Sequence, residues 1–204
     1  MSNCKELQFK LSNDKELKVH IKEVYETQYS NYVWPSALVL CDFICKNHDQ
    51  FQSKTVIELG SGTGICAIVA AKIGAKCYLT DKVGYQELSK ENLHLNRIED
   101  AEVFPLEWGS MIDSFPKIDY IIGSDCFYDE TDFENLLFTV SLLLDNSIDP
   151  KEAKFFTTYQ LRSSTYSIEC LARKWNLKCS LIPFSHTNVN NQVIELYEMK
   201  KESF

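Results

Sequence analysis

No stretch of this chain is long and apolar enough to span a bilayer. Its longest all-apolar run, Ile65–Ala71, covers seven residues, against about 20 for a membrane helix. The opening residues, Met1-Ser-Asn-Cys-Lys-Glu-Leu7, lack the basic-then-apolar layout of a secretory leader, so none is expected. Basic residues are scarce: 21 Lys and Arg stand against 29 Asp and Glu, a net charge of −8 over 204 residues. That balance argues against gripping a nucleic-acid backbone, which takes clustered Lys and Arg, and leaves open a Lys/Arg-rich partner. The eight cysteines, at 4, 41, 45, 66, 77, 126, 170 and 179, form no CxxC pair. A zinc framework is therefore unsupported, and reduced thiols packing as small core hydrophobes in an intracellular protein are expected. The histidines, His20, His48, His94 and His186, lack ligand spacing, so no metal is expected. There is no Gly/Ser- or Pro-rich linker and no internal repeat. With 45% hydrophobic and 25% charged residues, disorder over most of the length is excluded.

Strand and helix signals alternate from about residue 54. Thr55–Leu59 is a short apolar strand, Ile65–Ile73 a helix stopped by Gly74, and Lys76–Thr80 a strand ending at Asp81. Tyr85, Leu88 and Leu95 recur at helical spacing, and Ala101–Pro105 and Ile118–Ser124 read as strands. Thr131-Asp-Phe-Glu134 resembles a capping box opening a helix to about Leu144. Lys154–Tyr159, Thr165–Trp175, Cys179–Pro183 and Val193–Met199 read as strand, helix, strand, strand. Such alternation implies right-handed crossovers and a mostly parallel sheet. The last two strands, joined by the polar loop Phe184–Gln192, are expected to be antiparallel. Leu7–Tyr25 alternates as a hairpin would, and Pro35 suits the first position of a helix to Cys45. The economical organisation is an N-terminal extension over 1–30 and one domain over 31–204.

Val56-Ile-Glu-Leu-Gly-Ser-Gly-Thr-Gly64 carries most of the functional information. A strand runs into alternating glycines and then a helix, the layout of a ligand site at the carboxyl ends of strands. The dinucleotide fingerprint G-x-G-x-x-G fits poorly, because the third glycine falls one place early and Ile65 stands where glycine is wanted. Glu58, just upstream, would repel a pyrophosphate but suits a cationic amino-acid cofactor, although capping the next helix is an alternative role. Asp81 ends the next strand, where a carboxylate accepts both hydroxyls of a ribose. Together these favour S-adenosyl-L-methionine over a nicotinamide cofactor.

With these residues in place, the sequence over about 30–200 resembles the class I, seven-stranded S-adenosylmethionine-dependent methyltransferases. Tyr32-Val-Trp-Pro-Ser-Ala37 looks like the V-W-x-x-A segment of the methyltransferase-like lysine methyltransferase group. Leu106-Glu-Trp-Gly109 looks like its L-x-W-G, and Gly123-Ser-Asp-Cys-Phe-Tyr128 occupies the place of its D-x-x-Y/F motif. Within the group, Ser124–Tyr128, Thr158–Ser163 and Lys174–Cys179 most resemble the branch regarded as acting on histone arginine. The resemblance implies a Rossmann-like three-layer α/β sandwich with a seven-stranded, mostly parallel sheet whose last strand is antiparallel. It implies cofactor contacts from Trp34, Glu58, Gly60, Ser61, Gly62, Asp81, Trp108 and Ser124. The two tryptophans also suit a plain core role.

Methyl transfer asks the protein to orient a nucleophile and exclude water. Asp125 and Tyr128 have the spacing of the acid-x-x-aromatic motif of amine N-methyltransferases: the acid accepts a hydrogen bond from the target nitrogen, and the ring packs on the cation. Cys126 and Phe127 replace the prolines of the strict Asn/Asp-Pro-Pro-Tyr form. An arginine site often uses two carboxylates, for which Asp125 and either Asp129 or Glu130 are candidates; Asp132 and Glu134 suit a helix N-terminus instead. Tyr159, Gln160 and Arg162 are candidates for the substrate channel. The expected activity is protein N-methylation of arginine on a basic protein such as a histone, in cytoplasm and nucleus. A chaperone-type partner is a further expectation, with no direct nucleic-acid binding and no membrane. Alternatives are a protein-lysine methyltransferase, a small-molecule methyltransferase and a non-catalytic cofactor-binding subunit.

Overall fold

A computed structural model describes residues 2–24, 31–111, 115–160, 167–184 and 193–202. The centre of the molecule is β3 (Thr55–Leu59), a β-branched and apolar run whose last four residues are buried. Burial on both faces suits a parallel strand between helical layers. The following helix α3 (Ile65–Lys72) is buried along nearly its whole length. It ends in a Schellman arrangement: the Gly74 amide donates to the Ala71 carbonyl and the Ala75 amide to that of Ala70, both at 3.0 Å. That is the glycine stop read from the sequence.

The further elements are α1 (Pro35–Lys46), the short α2 (His48–Phe51), β4 (Lys76–Asp81), α4 (Glu87–Leu95), β5 (Glu102–Pro105), β6 (Tyr120–Ser124), α5 (Phe133–Asp145), β7 (Lys154–Gln160), α6 (Ile168–Lys174), β8 (Leu177–Ile182) and β9 (Ile194–Lys201). The seven-stranded sheet runs β5-β4-β3-β6-β7-β9-β8. All neighbours are parallel except β9, which inserts between β7 and β8 antiparallel to both. The chain winds outward one way from β3 through β4 and β5, and the other way through β6 and β7. A crevice therefore opens at the carboxyl ends of β3 and β6, where the winding reverses.

One layer packs α1 and α3 on the sheet through Leu40, Ile44, Ile68 and Phe156; the other packs α5 and α6 through Leu136, Val140, Phe155 and Ala172. The α/β sandwich expected from the sequence is thus the observed fold. A hairpin of β1 (Ser2–Lys10) and β2 (Glu16–Val24) adds Phe9, Val19 and Ile21 to the first core. Five cysteines are buried, Cys179 is partly buried, and Cys4 and Cys170 are exposed; all eight are free thiols. Burial pushes the Cys45 thiol up to about 12, so it behaves as a hydrophobe.

Three local expectations change. Thr131 does not cap α5: the Asp129 carboxylate accepts the Thr131 amide at 3.0 Å, opening a 3-10 turn over Glu130–Asp132 that leads into the helix. Tyr85 lies before α4 rather than within it, and Ile118 lies before β6. Ser167 caps α6 through the Cys170 amide. Tyr25, Arg162, Thr165, His186 and most of the 184–192 loop lie outside the described residues.

Candidate active site

The crevice holds a cleft of about 620 Å³. Its floor is the loop after β3. Gly60, Gly62 and Gly64 all have positive φ, at 61°, 50° and 75°, a region that glycine enters without strain. At two of them close packing adds a second reason. A Cβ on Gly60 would stand 3.1 Å from the Trp108 ring, and one on Gly64 would stand 2.8 Å from Leu79 Cδ2.

The loop is held from beneath and beside. The Ser61 amide donates to the Thr80 carbonyl at 2.9 Å, and the Gly64 amide to the Ser61 carbonyl at 2.7 Å. Asp81, ending β4, accepts the Gly62 amide on Oδ2 at 2.7 Å and the Lys82 amide on Oδ1 at 2.8 Å. Burial raises the Asp81 carboxyl above its usual range, and these two amides oppose that shift. Each oxygen keeps acceptor capacity toward the cleft.

Trp34, Gly60, Ser61, Gly62, Asp81, Trp108 and Ser124 all line the cleft. Glu58 does not. It is 1% exposed beneath the loop, where Oε2 accepts the Ala67 amide in the first turn of α3 at 3.0 Å. That is helix-capping geometry, and desolvation raises the carboxyl to about 8.

On the opposite side, Asp125 and Tyr128 line the cleft together. Asp125 is 8% exposed, with left-handed backbone (φ 54°) fixed by its amide donating to the Thr158 carbonyl at 2.8 Å. Tyr128 is 54% exposed at the mouth. Glu130, in the 3-10 turn, is not a lining residue. Nor is Tyr159, whose ring packs edge-on against Phe127 inside the second core. Gln160 does line the cleft, at the end of β7.

Tyr32, Tyr85 and Lys82 join the lining beyond the residues picked from the sequence. Tyr32 opens a motif quoted above, so its neighbourhood was visible; Lys82 directly follows Asp81. Its ammonium lies 3.4 Å from Asp132 Oδ2. The acidic stretch 125–134 is accordingly less free than its composition implies. Asp132 meets Lys82, Glu134 meets Lys174 at 2.6 Å and the Trp175 indole at 3.0 Å, and Asp129 holds Thr131.

The cleft suits S-adenosylmethionine. The Ser61 hydroxyl is buried on its floor with no hydrogen-bond partner among the described residues. Asp81 offers spare acceptor sites, the aromatic walls suit a purine, and no phosphate-binding cation projects from the loop. A family model described as lysine methyltransferase matches residues 12–167. The chain belongs to that family. Histone-arginine methyltransferase METTL23 of Xenopus laevis is 37% identical over 188 residues, covering 89% of this chain and 79% of that protein. Protein N-lysine methyltransferase METTL21A of Xenopus tropicalis is 39% identical over 111 residues, covering 52% of each. Among solved structures, the T. thermophilus 16S rRNA methyltransferase RsmC, in complex with AdoMet and guanosine, superposes with a TM-score of 0.71 at 12% identity, covering 98% of this chain and 51% of that one. It shares the fold. This methyltransferase is an S-adenosylmethionine-dependent enzyme acting on protein. Among its described residues no helix is long and apolar enough to cross a membrane, and no group of three His, Cys, Asp or Glu side chains is arranged to hold a metal ion.

Proposed function

We propose that this methyltransferase modifies an arginine side-chain nitrogen on a basic protein, with histone as the candidate substrate. The observation that carries the reading is the placement of Asp125 and Tyr128 in one cleft with the glycine loop and Asp81. The likeness to relatives named as histone-arginine methyltransferases supports the choice of arginine.

Ser61, the loop amides and Asp81 would hold S-adenosylmethionine, with Trp34 and Trp108 beside them. The bound group supplies a methyl already activated by its sulfonium. The protein's own task is then to present a nitrogen lone pair and keep water away. Asp125 accepts a hydrogen bond from the target nitrogen and fixes its direction. A carboxylate so placed also stabilises the proton as it leaves. Tyr128 closes the mouth and gives the cation a ring face.

Arginine presents a planar fork of donors, so its site needs more than one acceptor. With Asp81 on the cofactor side and Glu130 outside the cleft, the carbonyl oxygen of Gln160 is, among the described lining residues, an acceptor available beside Asp125. One of the pair is neutral, which is also what a lysine needs in order to lose its proton before transfer. Lysine is therefore the second reading, favoured by the single carboxylate that the described residues place on the acceptor side and by the family description.

Incubation with labelled S-adenosylmethionine, histones and matched Arg and Lys peptides, followed by mass spectrometry, decides between them. Methyl-arginine is the expected product. Exclusive methyl-lysine selects the second reading, and transfer to neither overturns both. Residence in cytoplasm and nucleus accords with a histone substrate and is checked by locating the tagged protein.

A further inference from the structure

Among the described residues no strand pairs with the outer edge of β2; side chains from α4 take that place. Asn92 Oδ1 accepts the Lys22 amide at 2.7 Å while its Nδ2 donates to the Lys22 carbonyl at 3.1 Å. One turn later Asn96 repeats the pattern on His20, at 3.0 and 2.6 Å. Each carboxamide imitates a neighbouring peptide group, satisfying an edge that would otherwise stay open.

The two asparagines differ in their third bond. Asn96 Nδ2 turns to the Asn92 carbonyl within its own helix, at 2.8 Å. Asn92 Nδ2 reaches the Thr63 carbonyl at 3.0 Å. Thr63 belongs to the glycine loop and lines the cleft. The loop also abuts α4 directly, since a Cβ on Gly64 would stand 3.2 Å from Ser89 Cβ. Asn92 is completely buried, and its three bonds bind hairpin to loop through one rigid amide.

We infer that Asn92 is a positioning residue for the cofactor loop, coupling the N-terminal hairpin to the occupancy of the cleft. The inference rests on the cleft being the cofactor site. Ordering the hairpin holds Thr63, and through it the Ser61–Gly64 turn, in the receiving conformation. By reciprocity, cofactor bound on that loop stabilises the hairpin. Nothing in the local sequence Glu91-Asn-Leu-His-Leu-Asn96 marks the first asparagine off from the second.

The test sets one asparagine against the other in the full chain. Asn92→Asp keeps the shape but loses both N–H donors and turns an oxygen toward the carbonyls of Lys22 and Thr63. Asn96→Asp makes the same change away from the loop. Calorimetry with S-adenosylmethionine is expected to show Kd raised about tenfold for Asn92→Asp, the size of one lost buried hydrogen bond. Kd is expected to stay within about twofold of wild type for Asn96→Asp, although both variants melt earlier. Equal Kd changes, or none, would overturn the inference. Hydrogen exchange on the unaltered protein covers the case in which a variant fails to fold. Saturating S-adenosylmethionine is expected to slow exchange of the Lys22 and His20 amides, and unchanged rates refute the coupling. If the unaltered protein does not bind S-adenosylmethionine, the assignment of the cleft falls, and this inference with it.

Discussion

The carboxylate of Asp81 receives the amide of Gly62 across the mouth of the glycine loop at 2.7 Å, while its other oxygen receives the amide of Lys82. Both oxygens must therefore be acceptors. Asparagine cannot satisfy this arrangement, because one arm would set an N–H against an N–H. Asp81→Asn is expected to raise the S-adenosylmethionine Kd by about tenfold or more, from a hydrogen bond to a charged group worth about 1.5–3 kcal/mol. Calorimetry checks it, and an unaltered Kd would remove Asp81 from the site.

Asp125 sits on the acceptor side, so its loss should be felt in turnover. Asparagine tolerates the left-handed backbone found there (φ 54°), which makes Asp125→Asn a clean removal of charge. Turnover is expected to fall by about 100-fold, the usual scale for a positioned acid–base group. Cofactor Kd is expected to move less than about threefold. Parallel steady-state kinetics and calorimetry separate the two, and a variant that loses cofactor affinity but keeps turnover contradicts the assignment.

Gly64 combines a positive φ of 75° with a neighbour 2.8 Å from where a Cβ would be. Gly64→Ala is expected to destabilise the fold by about 1–3 kcal/mol, through strain and overpacking against Leu79. Urea denaturation measures it; a wild-type midpoint would mean that the loop can relax freely.

Glu58 gives the fold a pH dependence with a definite sign. Its carboxyl titrates near 8 when folded, against an ordinary 4.5. Below the lower value both states hold the proton and its contribution is fully present. As pH rises toward 8 the unfolded chain ionises first, so stability from this residue declines with pH. Glu58→Gln keeps an oxygen for the Ala67 amide and never ionises. The stability gap between variant and wild type is expected to move in the variant's favour from pH 5 to pH 8, as read by denaturation at intermediate steps. A gap independent of pH would show that Glu58 is not held neutral.

The net charge of −8 should draw in a basic substrate at long range. Added salt screens exposed charges over about 10 Å at 0.1 M. KM for an Arg-rich peptide is expected to rise several-fold as salt is raised, with kcat nearly constant. A salt-insensitive KM would locate recognition in short-range contacts alone.

Much of this was legible in the chain itself, and the residues explain why. Gly60, Gly62 and Asp81 sit where backbone geometry is local, so spacing along the chain suffices to place them. Asp125 and Tyr128 were legible for the same reason, since one turn sets both. Asn92 was hidden because its partners lie 29 and 70 residues away, and a buried helix asparagine looks like a solvated one in sequence. Glu58 was read toward the ligand with capping of the next helix as the alternative, and its side chain takes the capping position on α3, a choice of rotamer that composition does not encode. Glu130 was placed with the acids it follows, until the turn held by Asp129 carried it away from the cleft.

The order of the sheet also sets an order of events during synthesis. β8 is made before β9, yet among the described residues β9 is the only strand that hydrogen-bonds to it. Until Ile194–Lys201 is made, the Leu177–Ile182 segment lacks its strand partner, and β7 keeps one edge uncovered. An open edge of this kind invites pairing with another nascent chain. Chains that stop before residue 194 should therefore associate through that edge, although every residue that lines the cofactor cleft is present in them.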